Sequence, residues 1–349
     1  MTEETIAEKS TSLPAISIVM AAHDHERELE QHLPILMEQD YPAGFEVIVV
    51  VSKGEDATDD LLERWVRQYP NLYTTFVPDS SRYMSKKKLA VTLGVKAANH
   101  DWVLLTEPEC VPASKDWLRL MASHIEDGID MVMGYSNYND EASDYQRYER
   151  AMMQRQLLKE AEKTAYRTEG HNLLFRKDMF MNGRGFDGNT QFVRGEYDFL
   201  VNKYAERGNT ATEQSPEAWL IEDAPTEKKW LNRHLYYMCT RKHLKRSFGH
   251  RLPYDTIQTL KHVWYLVLVA VMIVSGILQE WIWLAGAAVL LLLTLIVHTI
   301  IGKKQLEPYE PDIPAMKIVG MDLSRAWRAL YYKYKYLRAD KYDFTSHKL

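Results

Sequence analysis

Apolar positions fall into two patterns along the first half of the chain. Short unbroken runs occur at Ile16–Ala21, Phe45–Val51, Leu72–Val77, Trp102–Thr106 and Met131–Tyr135. Between them, Glu28–Met37, Asp59–Tyr69, Lys86–Ala98 and Ser114–Glu126 carry apolar residues at helical spacing. Continuous apolar strands alternating with helices predict a largely parallel sheet covered on both faces, hence an α/β fold. Such sheets bind ligands at the carboxyl ends of their strands, so the chemistry is expected just after each run. Asp140–Arg167 is a long polar helical stretch rich in Tyr, Met and Gln, expected to cross between two halves of the domain.

A third pattern begins at Val263. From there to Ile301 the only formal charge is Glu280. A bilayer takes about 20 mostly apolar residues per helix, and two spans fit, 263–278 and 281–301. Trp264, Tyr265, Trp281 and Trp283 stand at the span ends, where amphipathic rings favour the interface. Neither segment has the polar stripe of a surface helix, which favours a transmembrane hairpin over a buried hairpin in a soluble core. Arg241, Lys242, Lys245, Arg246, Arg251 and Lys261 precede the hairpin, and Lys303 and Lys304 follow it. That bias puts both long ends in the cytoplasm, at a cell (inner or plasma) membrane. Residues 1–14 start acidic and contain no apolar run, so they read as a disordered tail and not a signal peptide. Residues 236–262 and the stretch Ala326–Tyr342 within the tail 302–349 mix aromatic and basic residues, as interfacial amphipathic helices do.

Composition adds exclusions. The 349 residues are 46% hydrophobic and 26% charged, which rules out a disordered chain. A net charge of −5 argues against chain-wide affinity for nucleic acid, and no RNA-binding motif accompanies the basic aromatic stretches. Two cysteines, Cys110 and Cys239, cannot build a disulfide framework or, alone, a zinc cage. The mean hydropathy of −0.37 is an average over unlike parts and conceals the hairpin.

The strand ends carry the candidate chemistry. The first is followed by Ala22-His23-Asp24-His25-Glu26, the second by Ser52-Lys53-Gly54-Glu55-Asp56, the fourth by Glu107-Pro108-Glu109-Cys110. Two carboxylates straddling a proline offer hard oxygen ligands for Mg²⁺ or Mn²⁺. Taken alone, the pair reads better as a solvated acidic loop.

In order along residues 15–235, the chain resembles the GT-A catalytic domain of the inverting family 2 glycosyltransferases. The family's Q-D-Y-P stands intact as Gln39-Asp40-Tyr41-Pro42. Its G-K-x-x-A-L-N-x-G segment is represented by Lys87, Ala90, Val91 and Gly94. Its N-L-A-Y-R-K strand matches Asn172–Lys177, its G-F turn Gly185-Phe186, and its acidic D-D-D-L-type motif Glu196-Tyr197-Asp198-Phe199. The D-x-D position holds Glu107-Pro108-Glu109.

The resemblance implies a nucleotide-diphosphate sugar donor, a divalent cation (Mn²⁺ or Mg²⁺) held by Glu109 and Glu107, and Glu196 as catalytic base with Asp198 orienting it. Ala22, His23, Glu26, Ser52, Lys87, Asn172, Arg233 and His234 fall at donor-side positions. With a membrane hairpin, it implies a lipid-linked or glycan acceptor and an export or assembly partner protein. The chain departs from the family at three acidic positions, with Glu for Asp at 107, 109 and 196, and at the nucleoside-binding Asp, which falls on Val51 or Ser52. One methylene matters where geometry counts at the ångström level. A catalytically degenerate subunit with a binding or assembly role is therefore the alternative. A nucleotidyltransferase is less consistent, because Ala21–Arg27 lacks the Gly-rich phosphate loop.

Overall fold

The structure is a computed structural model that describes residues 13–78 and 85–344. Most of the expected 1–14 tail and the last residues of the 302–349 tail lie outside the described residues. The chain forms two compact units. The first draws on residues 1–142, 153–245 and 339–349, the second on 143–152 and 246–338.

The first unit begins with β1 (Ile16–Ala22), α1 (Glu26–Met37), β2 (Phe45–Val51), α2 (Thr58–Gln68), β3 (Leu72–Phe76), α3 (Lys86–Ala97) and β4 (Trp102–Thr106). It continues through β5 (Cys110–Pro112), α4 (Trp117–Ala122), β6 (Met131–Gly134) and β7 (Ser136–Tyr138). Helix α5 (Asp144–Ala161) is divided between the units. Then follow β8 (Leu173–Arg176), α6 (Lys177–Asn182), α7 (Glu196–Tyr204), β9 (Thr210–Glu213), β10 (Leu220–Glu222) and α8 (Glu227–Thr240). The main sheet has seven strands in the order β3-β2-β1-β4-β8-β6-β9. β3, β2, β1 and β4 run parallel, as the unbroken apolar runs require. β8 is antiparallel to both β4 and β6, so the sheet is mixed beyond the fourth strand. A second sheet, β5-β10-β7, lies in the same unit.

Both faces of β1 are dry. Ile16, Ile18 and Met20 pack with Val47, Val49, Leu29, Leu33 and Trp117 in one cluster. On the opposite face Gly94 of α3 lies so close that a Cβ there would meet Val19 Cγ1 at 2.4 Å. The parallel register brings the carboxyl ends of β1, β2 and β4 to one edge, with Ala22 opposite Val51 and Met20 opposite Thr106. The turns after β1 and β2 are laced together there. Glu55 N–H donates to Asp24 Oδ1 at 2.7 Å, and Glu26 N–H donates to Asp56 Oδ2 at 2.9 Å.

The second unit contains α9 (Ser247–Ile277), α10 (Trp281–Leu306) and α11 (Ala315–Arg338). α9 and α10 are long and apolar enough to cross a membrane, and Leu266, Ile282 and Leu292 are exposed on them. Helix α9 starts at Ser247, so that much of the segment read as interfacial and the span expected from 263 form one continuous helix. The reason lies in its polar side chains. Lys261 Nζ reaches Asp322 Oδ2 of α11 at 2.6 Å and Gln258 Nε2 reaches Asp322 Oδ1 at 3.3 Å, so these positions face a partner helix. His298 Nε2 of α10 lies 3.0 Å from Asp322 Oδ2. Burial opposes ionisation of Asp322, but its bonds to His298 and Lys261 hold the carboxyl well below the usual range. Helix α11 likewise starts earlier than the aromatic stretch suggested, because Ile318, Met321, Asp322 and Arg325, spaced i, i+3, i+4, i+7, form its buried face.

Candidate active site

A cavity of about 720 Å³ opens in the first unit at the carboxyl edge of the sheet. Lys87, Glu109, Arg194, Glu196, Asp198 and Arg233 are in its wall.

Each is set by a local device. Ser85 caps α3 by accepting from the Lys88 N–H, which fixes the turn bearing Lys87. Lys87 then enters an anionic site: its Nζ lies 2.7 Å from Glu107 Oε1. Burial works against the ammonium, but Glu107 and Glu196 outweigh it, and the Lys87 pKa is raised. Glu107 itself is buried and lies behind the cavity wall. Glu109, beyond Pro108, does reach the cavity. Its Oε1 is 3.2 Å from His25 Nε2 and 3.4 Å from Lys229 Nζ. Burial alone would raise the Glu109 pKa; the His25 bond and the charges of His25, Lys87 and Lys229 hold it well below the carboxylate range. Glu109 is therefore an ionised oxygen donor facing the cavity.

Glu196 opens α7. The preceding Gly195 has φ +98, a left-handed conformation that turns the chain sharply into the helix. The Glu196 side chain is buried, and its Oε1 has no hydrogen-bond partner. Arg194 faces it. Burial disfavours the Arg194 charge, but Glu196 and Glu107 more than compensate and raise its pKa. Asp198, in the first turn of the same helix, lies 3.5 Å from Arg167 Nη1. Burial pushes Asp198 up to about 6 despite that arginine. Glu169 bonds both Arg167 and Arg233, and Arg233 also donates to the Tyr138 hydroxyl.

Residues 14–216 match the family described as glycosyltransferase like family 2. The chain belongs to that family. Its mixed sheet with flanking helices is the GT-A fold. The PcManGT mannosyltransferase of Pyrobaculum calidifontis, solved with GDP-Man and Mn²⁺, superposes with a TM-score of 0.52 at 17% identity, covering 93% of this chain and 89% of that one. S. aureus TarS 1–349 gives a TM-score of 0.47 at 15% identity, covering 90% and 92%. GalNAc-T7 with UDP, GalNAc and Mn²⁺ gives 0.45 at 12%, covering 62% and 45%. No curated protein matches the chain in sequence.

Of the positions expected from this glycosyltransferase family, Lys87, Glu109, Glu196, Asp198 and Arg233 converge on one cavity, with Glu107 joined to it through Lys87. Ala22, His23, Glu26 and Ser52 sit at or just beyond the ends of β1 and β2, where the turns are laced together, and are not in its wall. There the Ser52 N–H donates to Ala22 O at 2.9 Å, and His23 Nδ1 is 3.3 Å from Ser52 O. Asn172 is buried and works inside the fold: its amide donates to Tyr135 O and Ala218 O and its Oδ1 accepts from Trp117 Nε1. His234 packs edge-on against Trp230, with ring centroids 4.8 Å apart. Sequence reasoning missed Arg194, Arg167, Glu169 and Lys229. Only Arg194 carried a usable signal, a cation two residues before the acidic motif.

Proposed function

We propose that this chain is a membrane-anchored, inverting glycosyltransferase that moves a sugar from a nucleotide-diphosphate sugar to a hydroxyl of a lipid-linked or glycan acceptor. The observation that carries this reading is Glu196, a buried carboxylate in the cavity wall with one oxygen left without a hydrogen-bond partner. A desolvated carboxylate with a free oxygen is suited to take a proton from an acceptor hydroxyl. The hydroxyl oxygen then attacks the anomeric carbon from the face opposite the nucleoside diphosphate, which leaves with the bonding pair, and the configuration inverts. Lys87 and Arg194, both within electrostatic reach of Glu196 and in the cavity wall, supply positive charge for the departing diphosphate. Asp198, tied to Arg167, orients this segment.

Glu109 fits a hard divalent cation, because it presents an ionised oxygen donor to the cavity, and Mg²⁺-type ions take one or two carboxylates plus phosphate oxygens. Glu107, committed to Lys87, supports that position from behind. When bound, such an ion supplies Lewis-acid stabilisation of the diphosphate. The donor class is that of the GDP-Man bound by the P. calidifontis mannosyltransferase. The apolar hairpin and its basic flanks support anchoring in a cell membrane, with the catalytic unit and the tail cytoplasmic.

The test is turnover of a donor panel by the purified protein with Mn²⁺ or Mg²⁺. Acceptor-dependent release of nucleoside diphosphate, with a product of inverted anomeric configuration, is expected. Absence of both turnover and nucleotide binding by calorimetry would establish the binding or assembly subunit instead. Glu109→Ala should remove the metal-dependent part of donor affinity. In inverted vesicles the tail should be open to added protease; protection of it would contradict the topology.

A further inference from the structure

We propose that Cys110, His171 and Glu222 form a Zn²⁺ site in the cavity wall, distinct from the Glu107–Glu109 turn. The three are far apart in sequence and are assembled by the second sheet. β10 pairs antiparallel with β5 so that Glu222 lies directly opposite Cys110. Directly paired residues point to the same face, with Cβ atoms about 4.5–5.5 Å apart. His171 enters from the loop before β8. Its N–H donates to Ser136 Oγ at 3.3 Å, and its ring packs on Tyr197 with centroids 4.9 Å apart. One nitrogen then faces both partners: Nδ1 is 3.2 Å from Glu222 Oε2 and 4.0 Å from Cys110 Sγ. All three ligand atoms lie within 4.8 Å of one another.

The chemistry of this set differs from that of the Glu109 turn. Zn²⁺ binds thiolate at ~2.3 Å and imidazole or carboxylate at ~2.0–2.2 Å, so tetrahedral ligands stand roughly 3.2–3.6 Å apart. A pair at the 4.8 Å limit must close by about 1.2 Å to reach that spacing, a shift shared between two side chains. A thiolate with an imidazole selects Zn²⁺ over Mg²⁺ or Mn²⁺. His171 and Glu222 line the cavity whereas Cys110 is buried behind them, so the fourth coordination position opens toward the cavity. Three protein ligands and one open position are the arrangement of ligand-accepting zinc sites. Binding releases the Cys110 thiol proton to solvent, the proton shared between His171 Nδ1 and Glu222 moves to Nε2 or to solvent, and two metal bonds replace that contact; no atom changes oxidation state. The site also clips β5, which follows the Glu109 turn, to β10.

This inference does not depend on glycosyl transfer, since its readout is the metal itself. The full-length protein in detergent is stripped with chelator and titrated with Co²⁺ and Zn²⁺. A near-ultraviolet thiolate-to-Co²⁺ band that saturates at one equivalent and is displaced by Zn²⁺ is expected. Cys110→Ser should abolish the band, and Cys239→Ser should keep it. His171→Gln and Glu222→Gln should weaken Zn²⁺ binding by about tenfold or more. Glu109→Gln should leave Zn²⁺ binding unchanged. Absence of the band in the wild type, its loss in Cys239→Ser with retention in Cys110→Ser, or wild-type Zn²⁺ affinity in both His171→Gln and Glu222→Gln overturns the proposal. Circular dichroism confirms that each variant scored is folded; the two Gln variants decide the matter if Cys110→Ser is not.

Discussion

Lys87 Nζ stands 2.7 Å from Glu107 Oε1, and only 6% of the Glu107 side chain is exposed. A cation in the first turn of a helix is disfavoured by the helix dipole, so α3 tolerates Lys87 because a buried carboxylate needs it. Lys87→Met should deprive the buried Glu107 of its ammonium partner, leaving it the Tyr197 hydroxyl and the Arg194 charge, at a cost of about 1–3 kcal/mol. The urea midpoint should fall with little change in slope, and the Lys87→Met/Glu107→Gln double variant should recover much of the loss. A wild-type midpoint for the single variant would limit Lys87 to ligand binding.

Glu196→Gln keeps the shape of the side chain and removes its basicity. Transfer should drop about 10²–10⁴-fold in kcat, the range for loss of a positioned general base. Donor affinity, measured by calorimetry, should stay near the wild-type value. An unchanged rate would remove Glu196 from the reaction.

Asp198 should leave a mark on the pH dependence of stability. Its carboxyl is raised from 3.8 to about 6 by burial, with Arg167 opposing. Between those values the folded protein retains a proton that the unfolded chain has lost. The contribution is therefore full below the unfolded pKa and is lost as pH rises through about 6, by up to about 3 kcal/mol. Denaturation of Asp198→Asn from about pH 4 to pH 7 should lack that slope. Parallel curves for the two proteins would show that Asp198 is not the group responsible.

Gly94→Ala tests the seam between α3 and the sheet. The added methyl would meet Val19 Cγ1 at 2.4 Å and Val50 Cγ2 at 3.1 Å. Overpacking of this kind costs roughly 1–3 kcal/mol, more than the gain in helix propensity of about 1 kcal/mol. A lowered thermal midpoint is expected, and a raised one would mean that the helix shifts freely.

The parallel half of the sheet was legible because β1, β2 and β4 are covered on both faces and so read as unbroken apolar runs. The antiparallel β8 was not, since a four-residue strand such as Leu173–Arg176 looks alike in either direction. At the site, Glu109 could be placed from the acidic turn after β4, and Lys87 and Glu196 through the resemblance to the family 2 glycosyltransferases. Glu169 and Arg167 could not. Their roles come from pairing with Asp198 and Arg233, residues that no local spacing links to them. The same limit hid the Cys110–His171–Glu222 cluster, whose members meet only through strand register and a loop. The pairing of Gln258 and Lys261 was hidden in the same way, because their partner, Asp322, lies on another helix.

Asp322 has a consequence for how the second unit comes together. It joins Lys261 of α9 and His298 of α10 to α11, yet it is synthesised after both. Until α11 docks, the two apolar helices hold a lysine and a histidine without this counter-charge. The hairpin and the helix that follows it should then behave as one cooperative block, in which the last-made segment completes and locks the first two.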